Sequence, residues 1–258
     1  MIFNGHRQML KKMKYLSDQE GIISRYMREK EHWNNHLEHT RNFVTGAFAG
    51  KEIETVAVLG SGWLLDCPIE NLSKRFKKVL LVDVHHPPQV RKRVESMPNV
   101  MLQETDLSGG AIQFAWNIRG QKEDYLSTFY LDFFSPEEPE LEFDPDAFVS
   151  LNILNQLDIL VVDHIRRRCN CFQNSEYDRF RKTIQEAHLE YITRKPGCLI
   201  SDVEETQQEK DGEPVKKNLL FADLPQGHRH DQWIWKFDLS GNYKPGHQTI
   251  MQVRAVEW

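Results

Sequence analysis

Apolar residues first recur along this chain with a helical period. Met9, Leu10, Met13 and Leu16, then Ile22, Ile23, Tyr26 and Met27, then Trp33, Leu37, Phe43 and Val44 predict helix over residues 6–49. Ser17-Asp18-Gln19-Glu20 supplies a cap and an acidic first turn for a second helix within that span, and Gly46 and Gly50 mark its exit. The period then changes. Short continuous apolar runs at Thr55–Leu59, Val79–Val82, Val100–Glu104, Phe148–Leu154 and Cys198–Asp202 read as buried strands. Between them, Pro68–Phe76, Gln89–Ser96 and Ser175–Thr193 read as helices. Pro68 suits a first helical turn and Ser175 a cap. Strands that alternate with helices imply parallel pairing with right-handed crossovers.

Two regions break this rhythm. Residues 111–146 predict irregular structure, with the acidic, proline-broken Phe133–Glu142 as an exposed insertion. Residues 204–217 are charged, apolar only at Val215, and predict a flexible loop. Gln232–Leu239 and Thr249–Trp258, joined through Ser240–Gly246, predict a closing antiparallel pair. The expected fold class is α/β: a Rossmann-like, doubly wound, mostly parallel seven-stranded sheet with a C-terminal antiparallel hairpin. Residues 1–50 form an N-terminal helical extension or lid, and residues 51–258 the sheet domain.

The length of 258 residues fits one large domain, or one domain with an extension. A net charge of -5 argues against a general affinity for nucleic acid, and Arg166-Arg167-Arg168 reads as a solvated helix end or loop. No run approaches the ~18 consecutive apolar residues that cross a bilayer. Lys11, Lys12, Lys14 and Asp18 interrupt any secretory apolar core. A cytoplasmic protein without membrane contact is expected. Cys67, Cys169, Cys171 and Cys198 make no disulfide framework. Cys169-Asn170-Cys171 is too tight for the usual metal-binding spacing and lacks a second pair, so reduced thiols are expected.

The chemistry concentrates where the first strand ends. Val56-Ala57-Val58-Leu59 breaks at Gly60-Ser61-Gly62, and Val79–Val82 ends in Asp83. Glycines at such a turn let the backbone approach a cofactor, and an acid ending the next strand can accept both ribose hydroxyls. A dinucleotide asks for a third glycine where Leu65 stands, and Trp63 and Leu64 crowd the turn. A cofactor without a pyrophosphate needs less room. With Asp106 after the third strand and the closing strand pair, residues 55–258 resemble the class I S-adenosylmethionine-dependent methyltransferases. Leu65-Asp66-Cys67-Pro68-Ile69 is similar to a bacterial methyltransferase-like subset.

That resemblance implies S-adenosyl-L-methionine as cofactor. It implies the Gly60-Ser61-Gly62 turn under the methionine part, Asp83 on the ribose and Asp106 near the adenine amino group. Val84, Leu107 and Asn152 complete the expected cofactor-binding set. The chain departs from the family at Val58, where an acid is usual, and at Leu64, where a third glycine often stands.

Ligands of open α/β sheets lie beyond the carboxyl ends of the strands, which brings in Asn152, Asn155 and Gln156 at the end of strand four. Amides donate and accept, so they can orient a nucleophile; they can equally satisfy loop backbone. Asn152, Asn155 and His36 are the catalytic candidates. The chain lacks the Asn/Asp-Pro-Pro-Tyr/Phe motif of enzymes that methylate nucleic-acid amino groups, which favours a small-molecule substrate. Adjacent His85 and His86 point to opposite sides of an extended chain, and His228 and His230 have no evident third ligand; no metal is expected. Asp163-His164 reads as an acid–base pair in a loop or as a turn. Tyr26, Trp33 and His36 share one helical face, suited to packing on the sheet edge, to lying across the site, or to facing a sulfonium. The expected function is methyl transfer to an unidentified small molecule, which asks mainly for positioning. The alternative is a non-catalytic cofactor-binding or regulatory module.

Overall fold

The computed structural model describes residues 2–118, 131–169, 171–209 and 212–258. Parts of the stretches 111–146 and 204–217, and Asn170, lie outside the described residues.

Two helices open the chain, α1 (Ile2–Lys12) and α2 (Tyr15–Gly46). The break falls at Lys14 in a left-handed turn (φ 75°), so α2 begins before Ser17 and not at it. Ser17 Oγ donates back to the Lys14 carbonyl. α2 kinks at Glu29 (φ −102°, ψ 15°). The buried Glu29 carboxylate accepts the amide hydrogens of Leu239 and Ser240 at 3.3 and 3.1 Å, which ties the kink to the far end of the chain.

Strands and helices then alternate. They run β1 (Thr55–Leu59), α3 (Ile69–Arg75), β2 (Lys78–Asp83), α4 (Pro88–Val94), β3 (Val100–Glu104), α5 (Ala111–Asn117) and β4 (Ala147–Leu151). α6 (Ile159–Arg168) and α7 (Asn174–Thr193) lead to β5 (Gly197–Glu209), β6 (Val215–Asn218), β7 (Arg229–Asp238) and β8 (His247–Glu257). The strand order is β3-β2-β1-β4-β5-β8-β7, with β6 paired to β5. β1 to β5 are parallel, and β8 runs antiparallel between β5 and β7. The sheet is Rossmann-like, mostly parallel, and closed by an antiparallel pair, as expected.

Alternation along each strand feeds two cores, one on each face. Ala57, Leu59, Leu80, Val82, Phe148 and Leu199 pack with α5, α6 and α7. Val56, Val58, Val79, Leu81, Val149 and Ile200 pack with α2, α3 and α4. Val58 is thus a fully buried core position, where an acid would have no partner in view.

Several expectations need correcting. The sheet has eight strands, not seven, and the stretch read as a flexible loop supplies the difference. β5 continues to Glu209, and Glu204–Gln207 pair with β6 on one side and β8 on the other. Hydrogen bonds on both sides hold these residues extended although their side chains are charged, and β6 itself is fully exposed. Apolar periodicity cannot register such a strand. α5 forms inside the stretch read as irregular. Asp163 and His164 lie within α6, not in a loop, and Arg166–Arg168 are its exposed last turn. α7 begins at Asn174, one residue before the expected cap, with the Glu176 carboxylate accepting the Gln173 amide hydrogen at 2.7 Å. Cys169 and Cys171, with Cα atoms 5.4 Å apart, are joined in a disulfide, against the expectation of free thiols. Cys67 and Cys198 are free and buried. No helix among the described residues is long and apolar enough to cross a membrane.

Candidate functional site

The turn after β1 is built by hydrogen bonds to the neighbouring strand. The amides of Gly60 and Ser61 donate to the Val82 carbonyl at 2.9 and 3.2 Å. The Gly62 amide donates to Asp83 Oδ2 at 2.7 Å, and the Val84 amide to Asp83 Oδ1 at 2.8 Å. Both glycines take left-handed φ values, +84° at Gly60 and +45° at Gly62. Their reasons differ. A side chain on Gly60 would strike Ile153 Cβ at 2.6 Å and the Leu151 carbonyl at 2.7 Å, so this glycine lets β1 pack on the end of β4. A side chain on Gly62 would meet only Asp83, at 3.9 Å; it leaves open space.

Leu64, at the expected place of a third glycine, takes the left-handed backbone such a glycine would (φ 55°). It is fully buried, its amide donates to the Ser61 carbonyl at 2.9 Å, and its carbonyl accepts from Arg93 at 3.0 Å. The turn keeps its shape through packing, without the glycine.

A cavity of about 260 Å³ opens over the carboxyl ends of β1, β2 and β4 and beside the middle of β5, beneath α2. It is lined by every expected cofactor residue: Gly60, Ser61, Gly62, Asp83, Val84, Asp106, Leu107 and Asn152. Asn155, Gln156, Trp33 and His36 line it too. Burial pushes the Asp83 carboxyl up to about 6, against its backbone hydrogen bonds. Asp106 is likewise raised by burial, while its Oδ1 accepts the Ser108 amide at 2.8 Å and hydroxyl at 2.5 Å.

The other candidates have varied surroundings. Asn152 holds φ 50° and donates to Asp66 Oδ2 at 2.6 Å. His36 Nδ1 accepts from Trp233 Nε1 at 3.0 Å, and its ring stacks on Trp235 at 3.9 Å. Burial drives its pKa down to about 3, so it is a neutral, weak base. Trp33 is both packing and lining: its Nε1 donates to the Phe237 carbonyl at 2.9 Å. His85 and His86 do diverge. His85 Nδ1 lies 2.9 Å from Glu104, and the buried His86 Nε2 is 2.9 Å from Ser61 Oγ, tying β2 to the glycine turn. No group of metal-ligating side chains exists among the described residues.

Sequence reasoning missed three contributors. Gln19 of α2 donates to Asp83 Oδ1 at 3.2 Å and to the His85 carbonyl at 2.9 Å, and its own carbonyl accepts from Trp63 Nε1 at 2.8 Å. It closes the Asp83 side of the cavity. Asp202 and Glu205 of β5 line the opposite end. Asp202 ends an apolar run just as Asp83 does, so the signal that singled out Asp83 was present there as well.

No family model matches the chain, and no curated protein does. Among solved structures, it is similar to a DhpI–SAH complex, at 12% identity and TM-score 0.36, covering 93% of this chain and 96% of that one. A DhpI–SAM–HEP complex matches at 12% identity and TM-score 0.38, with 92% and 95% covered. The methyltransferase domain of bacterial CtHen1 matches at 12% identity and TM-score 0.32, with 89% and 99% covered. Likeness at this level says nothing about activity.

Proposed function

We propose that the chain binds S-adenosylmethionine and methylates a small molecule. The observation that carries this reading is one cavity lined by the Gly60–Gly62 turn, Asp83 and Asp106, at the ends of three adjacent strands. The residues suit the group. Gly62 leaves a cradle that a Cβ would begin to fill, and Asp83 is a buried acceptor beside it. Asp83 would hold the ribose hydroxyls, Asp106 and Leu107 would border the base, and the glycine turn would carry the methionine part. When bound, the cofactor supplies a methyl carbon already activated by its sulfonium. The chain's part is then to orient the acceptor and exclude water. α2 with its Gln19, Trp33 and His36 covers the cavity, which supports reading residues 1–50 as a lid on the domain formed by residues 51–258.

Calorimetric titration with S-adenosylmethionine and S-adenosylhomocysteine tests this. Binding of both is expected, weakened by Asp83→Ala by roughly ten- to a hundredfold, the worth of a charged hydrogen bond. No binding of either overturns the reading; tight binding indifferent to Asp83→Ala overturns the site.

A further inference from the structure

The far end of the cavity, beyond Asn152, has no part in holding the cofactor as assigned above. Asp202 lines it from β5 at 3% exposure; the Asn155 side chain hydrogen-bonds its carboxylate, and its Oδ1 has no partner. Asn155, 2% exposed, also lines it with Oδ1 unpartnered, and so does Asn152 Oδ1. Buried polar atoms are almost always paired, and these three are acceptors, so what is missing is a donor.

Charge and shape agree. Asp66 and Glu205 border the same space. Arg25 is the one lysine or arginine on the lining among the described residues; it lies 3.9 Å from Asp238 and over the rings of Phe237 and Tyr243. The wall there is aromatic: Trp235 meets Phe237 edge-on at 4.8 Å, and Phe237 meets Tyr243 at 5.0 Å. Trp235 Nε1 is an unpartnered donor on this wall, which leaves a place for one acceptor on the same ligand.

We propose that this end of the cavity is the methyl-acceptor subsite and that it takes a small primary or secondary amine in its protonated form, with its N–H groups on Asp202 and Asn155. The inference rests on the methyltransferase reading of the rest of the cavity. An ammonium has no free electron pair, so one proton must leave first; the freed pair would then form the bond to the methyl carbon as that carbon's bond to the sulfonium sulfur breaks, its electrons staying on sulfur as S-adenosylhomocysteine. Burial raises the Asp202 carboxyl to about 7, which makes it a fitting acceptor for that proton near neutrality.

The probe is phenethylamine, with phenethyl alcohol and hydrocinnamate as neutral and anionic counterparts. Each is titrated into the full chain with and without S-adenosylhomocysteine. The amine is expected to bind in both states, roughly tenfold more tightly than the alcohol, with hydrocinnamate weakest. Asp202→Asn and Glu205→Gln should each shrink the preference for the amine, Asp202→Asn more. The proposal is overturned if the alcohol binds as well as the amine, if the preference survives both substitutions, or if S-adenosylhomocysteine expels the amine. Expulsion assigns the acidic end to the cofactor's own ammonium. Should Asp202→Asn fail to fold, Glu205→Gln decides. If S-adenosylhomocysteine does not bind, the methyltransferase reading falls, and the amine-against-alcohol comparison still decides the subsite.

Discussion

The Asp83 carboxylate accepts the Gly62 amide hydrogen at 2.7 Å, so the end of β2 clasps the turn that follows β1. The two glycines of that turn should separate stability from binding. Gly60→Ala puts a methyl 2.6 Å from Ile153 and 2.7 Å from the Leu151 carbonyl, on a left-handed backbone. Strain plus overpacking should cost about 3 kcal/mol or more. Gly62→Ala meets open space and carries only the backbone penalty, about 1 kcal/mol. Its methyl intrudes on the cradle, so S-adenosylhomocysteine affinity should fall more in Gly62→Ala than its stability does. Denaturant titration and calorimetry on both variants check the pair; equal stability losses would sink the distinction.

Gln19 donates to Asp83 Oδ1, one of the two oxygens that the proposed site would offer a ribose. A ligand must share or displace that amide. Gln19→Ala should therefore destabilise the free protein by about 1–2 kcal/mol, the net worth of its two side-chain hydrogen bonds, while S-adenosylhomocysteine binds as tightly as before or a few fold more tightly. A loss of affinity would mean that Gln19 helps to hold the cofactor.

Much of this was legible in the sequence because parallel strands buried on both faces are written as continuous apolar runs. Val56–Leu59 and Val79–Val82 announce β1 and β2, and the residues that end these runs, Gly60 and Asp83, line the cavity. The same logic applied to Ile200-Ser201-Asp202 would have placed Asp202 there. What stayed hidden depends on distant partners. β6 is an exposed Val-Lys-Lys-Asn held by β5, so no apolar pattern marks it. Gln19 gains its role only where α2 crosses the end of β2, sixty-four residues away in sequence. Leu64 reads as a missing glycine, yet packing holds its backbone in the glycine conformation.

Leu64 sets two effects of opposite sign against each other. Leu64→Gly relieves a left-handed leucine, worth about 1–2 kcal/mol. It also empties a fully buried position, which costs about 2–5 kcal/mol for a leucine side chain. Burial should win, and the variant should unfold at lower denaturant. Leu64→Asn, which tolerates the backbone but buries a polar group, should be worse still. A stabilised Leu64→Gly would show that the strain exceeds the packing.

The pH dependence of stability should tilt toward acid. Burial is the main cause that holds Asp66, Asp83, Asp106, Asp158 and Asp202 above the ordinary carboxyl range, with Asp83 and Asp158 near about 6 and Asp202 near about 7. Between the unfolded and folded values the native state holds protons that the unfolded state has released, so stability falls as pH rises through that window. Buried His36, His86 and His188, lowered to about 3, 4 and 4, act in the opposite sense, but only below the ordinary histidine value. Above pH about 6.5, Asp83 and Asp158 near completion and Asp202 contributes the largest share of the slope. Thermal midpoints should decline from pH 6 to pH 7.5 in the native chain, and Asp202→Asn should flatten that decline. A ligand cation seated on Asp202 stabilises the carboxylate, so saturating amine should flatten it too. A decline that persists unchanged in Asp202→Asn would place the titrating group elsewhere.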